Sequence, residues 1–267
     1  MARIALVLTA AIVMATGSAA AQTLETLDLA AHDIVDLSHA YDQHTVYWPT
    51  ESHRYERETL AYGDTDEGYF YAAYRFCTPE HGGTHMDAPI HFFADRHTTE
   101  AVPLDRLIGP GVVIDVSDQA AADRTYRLTV ADVTAFEARH GRVPAGAIVL
   151  LRTDWSRHWP DVKAYLGDDT PGDASKLAFP SFGVEAARLL IEERGVAVLG
   201  VDTASTDYGL STDFPVHRLA GRHNVPGLEN LTNLDRLPPT GATIFALPMK
   251  IAGGSGGPTR VIALTPR

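Results

Sequence analysis

The chain has 267 residues, 45% apolar and 21% charged, with 34 acidic against 22 basic side chains and a formal charge of −12. That balance excludes a disordered or fibrous chain, and the absence of a long basic run argues against nucleic acid or an anionic membrane as partner. The single cysteine, Cys77, leaves no intramolecular disulfide and no thiolate zinc cluster, so any bound metal must rely on carboxylates and the 12 histidines.

At the start of the chain, Arg3 precedes an apolar run from Ile4 to Ala15, which closes on Ser18-Ala19-Ala20-Ala21 before Gln22. This is the layout of a cleavable secretory signal, and the run is short of the roughly 20 residues that span a bilayer as a helix. The expectation is removal of residues 1–21 and a periplasmic or secreted mature chain without membrane attachment. No Pro/Gly/Ser-rich linker divides residues 22–267, which predicts a single domain.

Runs rich in β-branched and aromatic residues predict strands over residues 34–37, 69–76, 112–116, 148–151, 196–201, 243–247 and 261–264. A helix is predicted over 129–140, opened by a Thr129/Asp132 capping pair, carrying Val130, Val133 and Phe136 at helical spacing and stopped by Gly141. Residues 184–194 repeat the form, with Ala187, Leu190 and Ile191 on one face and Gly195 beyond the end. The alternation of strand and helix predicts an α/β domain with a mixed sheet. Near the end, the segment Gly253-Gly254-Ser255-Gly256-Gly257 is the one low-complexity stretch.

Three histidines and an aspartate fall together in His81-Gly82-Gly83-Thr84-His85-Met86-Asp87-Ala88-Pro89-Ile90-His91. In an extended segment His85 and Asp87, two apart, share a face, and Gly82-Gly83 lets the backbone fold closely enough for His81 to join them. Two imidazoles and a carboxylate form a first shell suited to zinc, manganese or iron. A helical H-E-x-x-H site is absent, so the expected centre is an irregular metal loop with His91 to spare.

The run His81 to Phe92 resembles the signature of the cyclase family of metal-dependent hydrolases, whose branches include kynurenine formamidases and isatin hydrolases. Asp36-Leu37-Ser38, Leu151-Arg152-Thr153-Asp154-Trp155, Gly200-Val201-Asp202-Thr203 and Leu247-Pro248-Met249-Lys250-Ile251 extend the likeness over most of the mature chain. The resemblance implies a swivelling β/β/α domain. It also implies that a distant histidine and a glutamate twelve residues later complete the centre, positions filled here by His217 and Glu229. On that pattern His81, His85 and Asp87 hold one metal, and Asp87, His217 and Glu229 hold or orient a second. The isatin-hydrolysing branch departs at the glutamate position, so Glu229 favours the formamidase-like arrangement with one or two zinc or manganese ions per chain. Relatives are commonly dimers or tetramers, which implies a homo-oligomer here.

The expected chemistry is hydrolysis of an amide C–N bond in a small-molecule substrate by metal-activated water. His91 would take the proton from the attacking water and return it to the leaving nitrogen as general acid/base. An arylformamidase-like activity is the first expectation, a ring-opening cyclic amide or lactone hydrolase the alternative, and a periplasmic metal- or ligand-binding module without turnover the third. Tyr47, Trp48, Tyr69, Phe70, Tyr71, Phe92 and Phe93 stand near the site in sequence as candidates for an apolar wall, with Trp48 the expected substrate contact. Asp154 and Asp202 each end a strand, where they either serve the site or cap a turn. Cys77 is expected to pack as a small hydrophobe rather than to act as a nucleophile.

Overall fold

A computed structural model describes residues 29–267, so the secretory segment expected over residues 1–21 lies outside the described residues. In chain order the strands are β1 (His32–Asp36), β2 (Glu56–Asp64), β3 (Phe70–Cys77), β4 (His85–Asp87), β5 (Ile108–Asp115), β6 (Arg127–Leu128), β7 (Ile148–Arg152), β8 (Ser181–Phe182), β9 (Val198–Val201), β10 (Gly227–Glu229), β11 (Thr240–Pro248) and β12 (Gly256–Pro266). Eight of them form one mixed sheet in the order β1-β12-β11-β5-β7-β9-β10-β4, and a further β12–β4 pairing closes it into a barrel. β5, β7, β9 and β10 run parallel, whereas β11, β12, β1 and β4 join antiparallel.

Strand alternation distributes two cores. Val113, Ile148, Leu150 and Val198 turn into the barrel, where they meet Met86, Leu228, Ile244 and Val261. Their neighbours Val112, Ile114, Val149, Leu151, Leu199 and Val201 face outward onto a layer of helices. The helices are α1 (Leu104–Leu107), α2 (Ser117–Ala122), α3 (Val130–His140), α4 (Val162–Leu166), α5 (Val184–Arg188) and α6 (Pro215–Arg222). Side chains of α3, α5 and α6 supply the outer core. Two layers of strand under one of helix match the mixed α/β architecture expected from the sequence.

The helix expected over 129–140 forms as α3, with a reciprocal Thr129/Asp132 capping box and Gly141 at its end. The one expected over 184–194 begins as α5 and then widens into a π-helical turn, Leu189–Arg194, before Gly195 stops it. The strand expected over 69–76 does not enter the sheet. Among the described residues it pairs only with β2, and the resulting ribbon exposes nearly every residue on both faces.

Candidate metal centre

The ribbon leads directly into the histidine run. Gly82 and Gly83 have φ of +155° and +57°, and an added Cβ would fall 2.1 Å from the Tyr47 ring and 2.6 Å from the Tyr41 ring respectively. Only glycine lets the backbone cross these rings, and the Tyr41 hydroxyl donates to the carbonyls of Gly82 and Thr84 to hold the crossing in place. The chain then straightens into β4, where alternation sends Met86 into the barrel core and His85 and Asp87 to the opposite face.

β4 is paired on both edges. Antiparallel register sets Glu229 of β10 directly opposite His85, and directly opposed residues share a face. His217, in the first turn of α6, completes the set from the helical side. His81 Nδ1 lies 2.6 Å from Asp87 Oδ1, and His85 Nε2 lies 3.2 Å from the same oxygen. His217 Nε2 is 2.9 Å from Asp87 Oδ2 and 3.1 Å from Glu229 Oε1, and His85 Nε2 is 3.6 Å from Glu229 Oε2. Two triads result, His81/His85/Asp87 and Asp87/His217/Glu229, each with its ligand atoms within 4.8 Å of one another and with Asp87 common to both. The structure thus brings all five expected ligands together.

The outward nitrogens of two histidines are already engaged. His85 Nδ1 donates to the Gly83 carbonyl at 3.0 Å, and His217 Nδ1 donates to Asp207 Oδ2 at 2.7 Å, so each turns Nε2 inward. Such outer contacts fix tautomer and ring orientation for metal binding. Asp207 is buried and also accepts from the backbone N–H groups of Val216 and His217, capping the first turn of α6. The sequence reading missed it because its partner lies ten residues away on another element. Its only signal is an aspartate closing the small polar stretch Thr203-Ala204-Ser205-Thr206 after β9.

Charge in the centre is coupled to protons. Burial alone would lower the His85 pKa, but hydrogen bonding and charge from Asp87, with Glu229 adding to it, carry it up to about 9. His217 is likewise raised well above its ordinary value: burial opposes this, and Asp207, Asp87 and Glu229 prevail. Asp87 is held well below the usual carboxylate range, because the surrounding histidines outweigh its burial. A cluster of buried carboxylates that retains protons on its imidazoles is a cluster that a divalent cation can occupy by displacing those protons, so the donor set fits a metal ion.

A cavity of about 290 Å³ opens over the cluster. Trp48 lines it, braced edge-on by Phe179 at 6.3 Å and tilted against Phe214 at 6.2 Å. Phe92 and Phe214 line it as well; Phe214 was not anticipated from the sequence. His91, at the end of a 3-10 turn, stacks on His81 with centroids 3.8 Å apart and also faces the cavity. Burial lowers its pKa to about 4, with Asp87 opposing and the other three histidines reinforcing the shift, so it stands neutral at ordinary pH.

Other expectations need correction. Tyr69, Phe70 and Tyr71 are exposed on the ribbon and its turn and do not line the cavity. Phe93 instead meets the guanidinium groups of Arg96 and Arg222. Cys77 does not pack inside; it is exposed at the end of β3. Asp202 and Asp154 do not line the cavity either. Asp202 clamps the end of β7 by accepting from the Thr153 amide and hydroxyl, and burial raises its pKa to about 7 against those bonds. Asp154 pairs with Arg152.

Residues 35–208 match the Cyclase family model, a stretch that includes the whole run His81 to His91. The chain belongs to the cyclase family of metal-dependent hydrolases. Among relatives in that family, an isatin hydrolase of Roseibium aggregatum is 37% identical over 209 residues, covering 75% of this chain and 78% of its own. A kynurenine formamidase of Salinibacter ruber is 27% identical over 229 residues, covering 86% and 96%. Among solved cyclase-family structures, isatin hydrolase A from Ralstonia solanacearum superposes with a TM-score of 0.81 at 36% identity, over 88% of this chain and 93% of that one.

Proposed function

We propose that this cyclase-family hydrolase opens the amide C–N bond of a cyclic aryl amide of the isatin type. The observation that carries this choice is the lining of the cavity. Trp48, Phe92 and Phe214 surround the cluster, and among the described residues no lysine or arginine lines it. A formamide on an amino-acid side chain brings a free carboxylate, which calls for a cationic partner. A compact neutral bicyclic amide needs aromatic walls and a carbonyl-polarising group, and the greater identity to isatin hydrolases supports the same choice. The second reading, hydrolysis of an aryl formamide, is favoured by Glu229, which completes the second triad.

His81, His85 and Asp87 would hold one divalent cation, zinc or manganese, and Asp87, His217 and Glu229 would hold a second. When bound, such a cation supplies Lewis acidity that brings the pKa of a water from about 16 towards about 7. Trp48 and Phe92 flank the substrate ring. Neutral His91 accepts one proton as water oxygen adds to the carbonyl carbon, then delivers it to the nitrogen as the C–N bond breaks; the ring opens to one molecule bearing an aryl amine and a carboxylate, and the remaining water proton passes to solvent. A module that only bound a ligand would need no such proton carrier.

Elemental analysis of protein purified without added metal, followed by parallel assays on isatin-type amides and aryl formamides, tests both levels. We expect at least one metal per chain and turnover of the cyclic amides. A reversed substrate preference replaces the first reading by the second. Less than one metal per chain, with no activity restored by added zinc or manganese, overturns the metal centre.

We further propose that the chain works as a homo-oligomer, a dimer or tetramer, joined to a second copy through the β2–β3 ribbon, and that residues 1–21 direct it to the periplasm or beyond. An isolated two-stranded ribbon is marginal in water. The stretch from Glu56 to Cys77 offers the roughly 20 to 30 residues that one side of a stable interface uses.

A further inference from the structure

The Gly253-Gly254-Ser255-Gly256-Gly257 segment has no part in the chemistry above, yet it reaches the centre. Ser255 Oγ lies 2.8 Å from His81 Nε2 and 2.7 Å from Glu80 Oε2, and the Ser255 amide donates to the same Glu80 oxygen at 2.9 Å. The Ser255 carbonyl accepts from the amide of Ala88, next to Asp87, at 2.8 Å. Gly256 pairs with Asp87 in the β12–β4 ladder, and an added Cβ there would fall 2.6 Å from His81 Cε1. The glycine next to Ser255 is thus what lets the segment close on the imidazole.

Proton accounting gives the three groups a direction. A carboxylate accepts only, so the single hydroxyl hydrogen of Ser255 goes to Glu80. The serine oxygen must then accept, which requires the hydrogen of His81 on Nε2. With Nε2 protonated, the lone pair of a neutral His81 is on Nδ1, 2.6 Å from Asp87 Oδ1. Two acceptors that close need a cation between them, a proton or a metal ion.

We propose that Glu80 and Ser255 are positioning residues for the metal centre: through the chain Glu80 carboxylate, Ser255 hydroxyl and His81 Nε2–H they fix the ring and tautomer that present Nδ1 beside Asp87. This rests on the metal reading given above. His85 and His217 have their outward nitrogens held by a backbone carbonyl and by Asp207, and the relay does the same for the half-buried His81, whose Nε2 meets the Ser255 hydroxyl. A carboxylate behind a hydroxyl also makes the imidazole a better electron donor.

The test is metal affinity by chelator competition, with the visible spectrum of the cobalt-loaded protein as a second readout. Wild type is titrated first; failure to bind any divalent cation there overturns the metal reading itself. Given wild-type binding, Ser255→Ala and Glu80→Gln are each expected to weaken the tighter site by about 10- to 100-fold and to alter the cobalt spectrum. The double variant should be little worse than the stronger single one, because the two act in series. Ser255→Thr, which keeps the hydroxyl, should bind within about threefold of wild type. Thermal unfolding of each metal-free variant shows whether it is folded, and the conservative Glu80→Gln keeps the test alive if Ser255→Ala is not. Wild-type affinity in a folded Ser255→Ala or Glu80→Gln protein, or additive losses in the double variant, overturns the inference.

Discussion

Asp87 gives one carboxylate oxygen to His81 and His85 and the other to His217, so the two triads meet in this one residue. Because His85 titrates near 9 and His217 above its ordinary value, both hold protons at neutral pH in the metal-free protein. Metal must displace them. Calorimetric titration in buffers of differing ionisation enthalpy should therefore show release of about one to two protons per chain, with affinity falling as pH is lowered from 9 to 6. Affinity independent of pH would contradict the protonated pair. His91 differs, being neutral and outside both triads. Replacing it by alanine should cut turnover by roughly 10²- to 10⁴-fold with metal content unchanged, as read by steady-state kinetics beside elemental analysis; loss of metal would make it a ligand. His85 and Asp87 were legible in the sequence because alternate residues of a strand share a face. His217 and Glu229 carried no local signal and came only through family resemblance. Asp207 was illegible because its role is a contact between a loop and a helix start.

The longer elements were predictable from periodicity, and the shortest were not. β4 and β10 have three residues each, too few for an alternation to register, yet their pairing aligns Glu229 with His85. β12 runs further back than its apolar pattern suggested, because Gly256 and Gly257 extend it to meet β4. The Tyr69-to-Phe76 run was correctly an extended segment, but its neighbourhood in sequence to the histidines suggested a wall for the cavity. Pairing with β2 carries it away instead, and Tyr62, Phe70 and Tyr74 cluster on an exposed ribbon. If that ribbon joins two copies, Tyr62→Glu combined with Phe70→Glu should shift the chain to a monomer by light scattering while leaving the metal ligands in place. A double variant that keeps the wild-type mass excludes the ribbon as the joint.

The stability of the whole molecule should depend on pH through a histidine outside both triads. His39 stacks on Trp159 at 4.1 Å, and burial lowers its pKa to about 4 against the pull of Asp36. Its folded value is depressed from an ordinary 6.5, so its neutral form costs nothing above pH 6.5. Between 6.5 and 4 the unfolded chain takes up a proton that the folded chain refuses, and stability falls by up to about 1.4 kcal/mol per pH unit, roughly 3 kcal/mol in all. Denaturant unfolding of His39→Phe should show a shallower loss over that window than wild type; equal slopes would rule the residue out. The proposed export makes a separate prediction at this scale: mass spectrometry of protein recovered from outside the cytoplasm should find Gln22 as its first residue.

Closure of the barrel through β4 sets an order on biosynthesis. Residues 85–87 are held by 227–229 on one edge and by 256–258 on the other, and Ser255 reaches His81 from the same late segment. His81, His85 and Asp87 are translated early, and the strands that frame them come last. A nascent chain on the ribosome has no finished metal pocket until its final strand emerges, and a message truncated before residue 255 would yield a protein with every histidine ligand and an unframed centre.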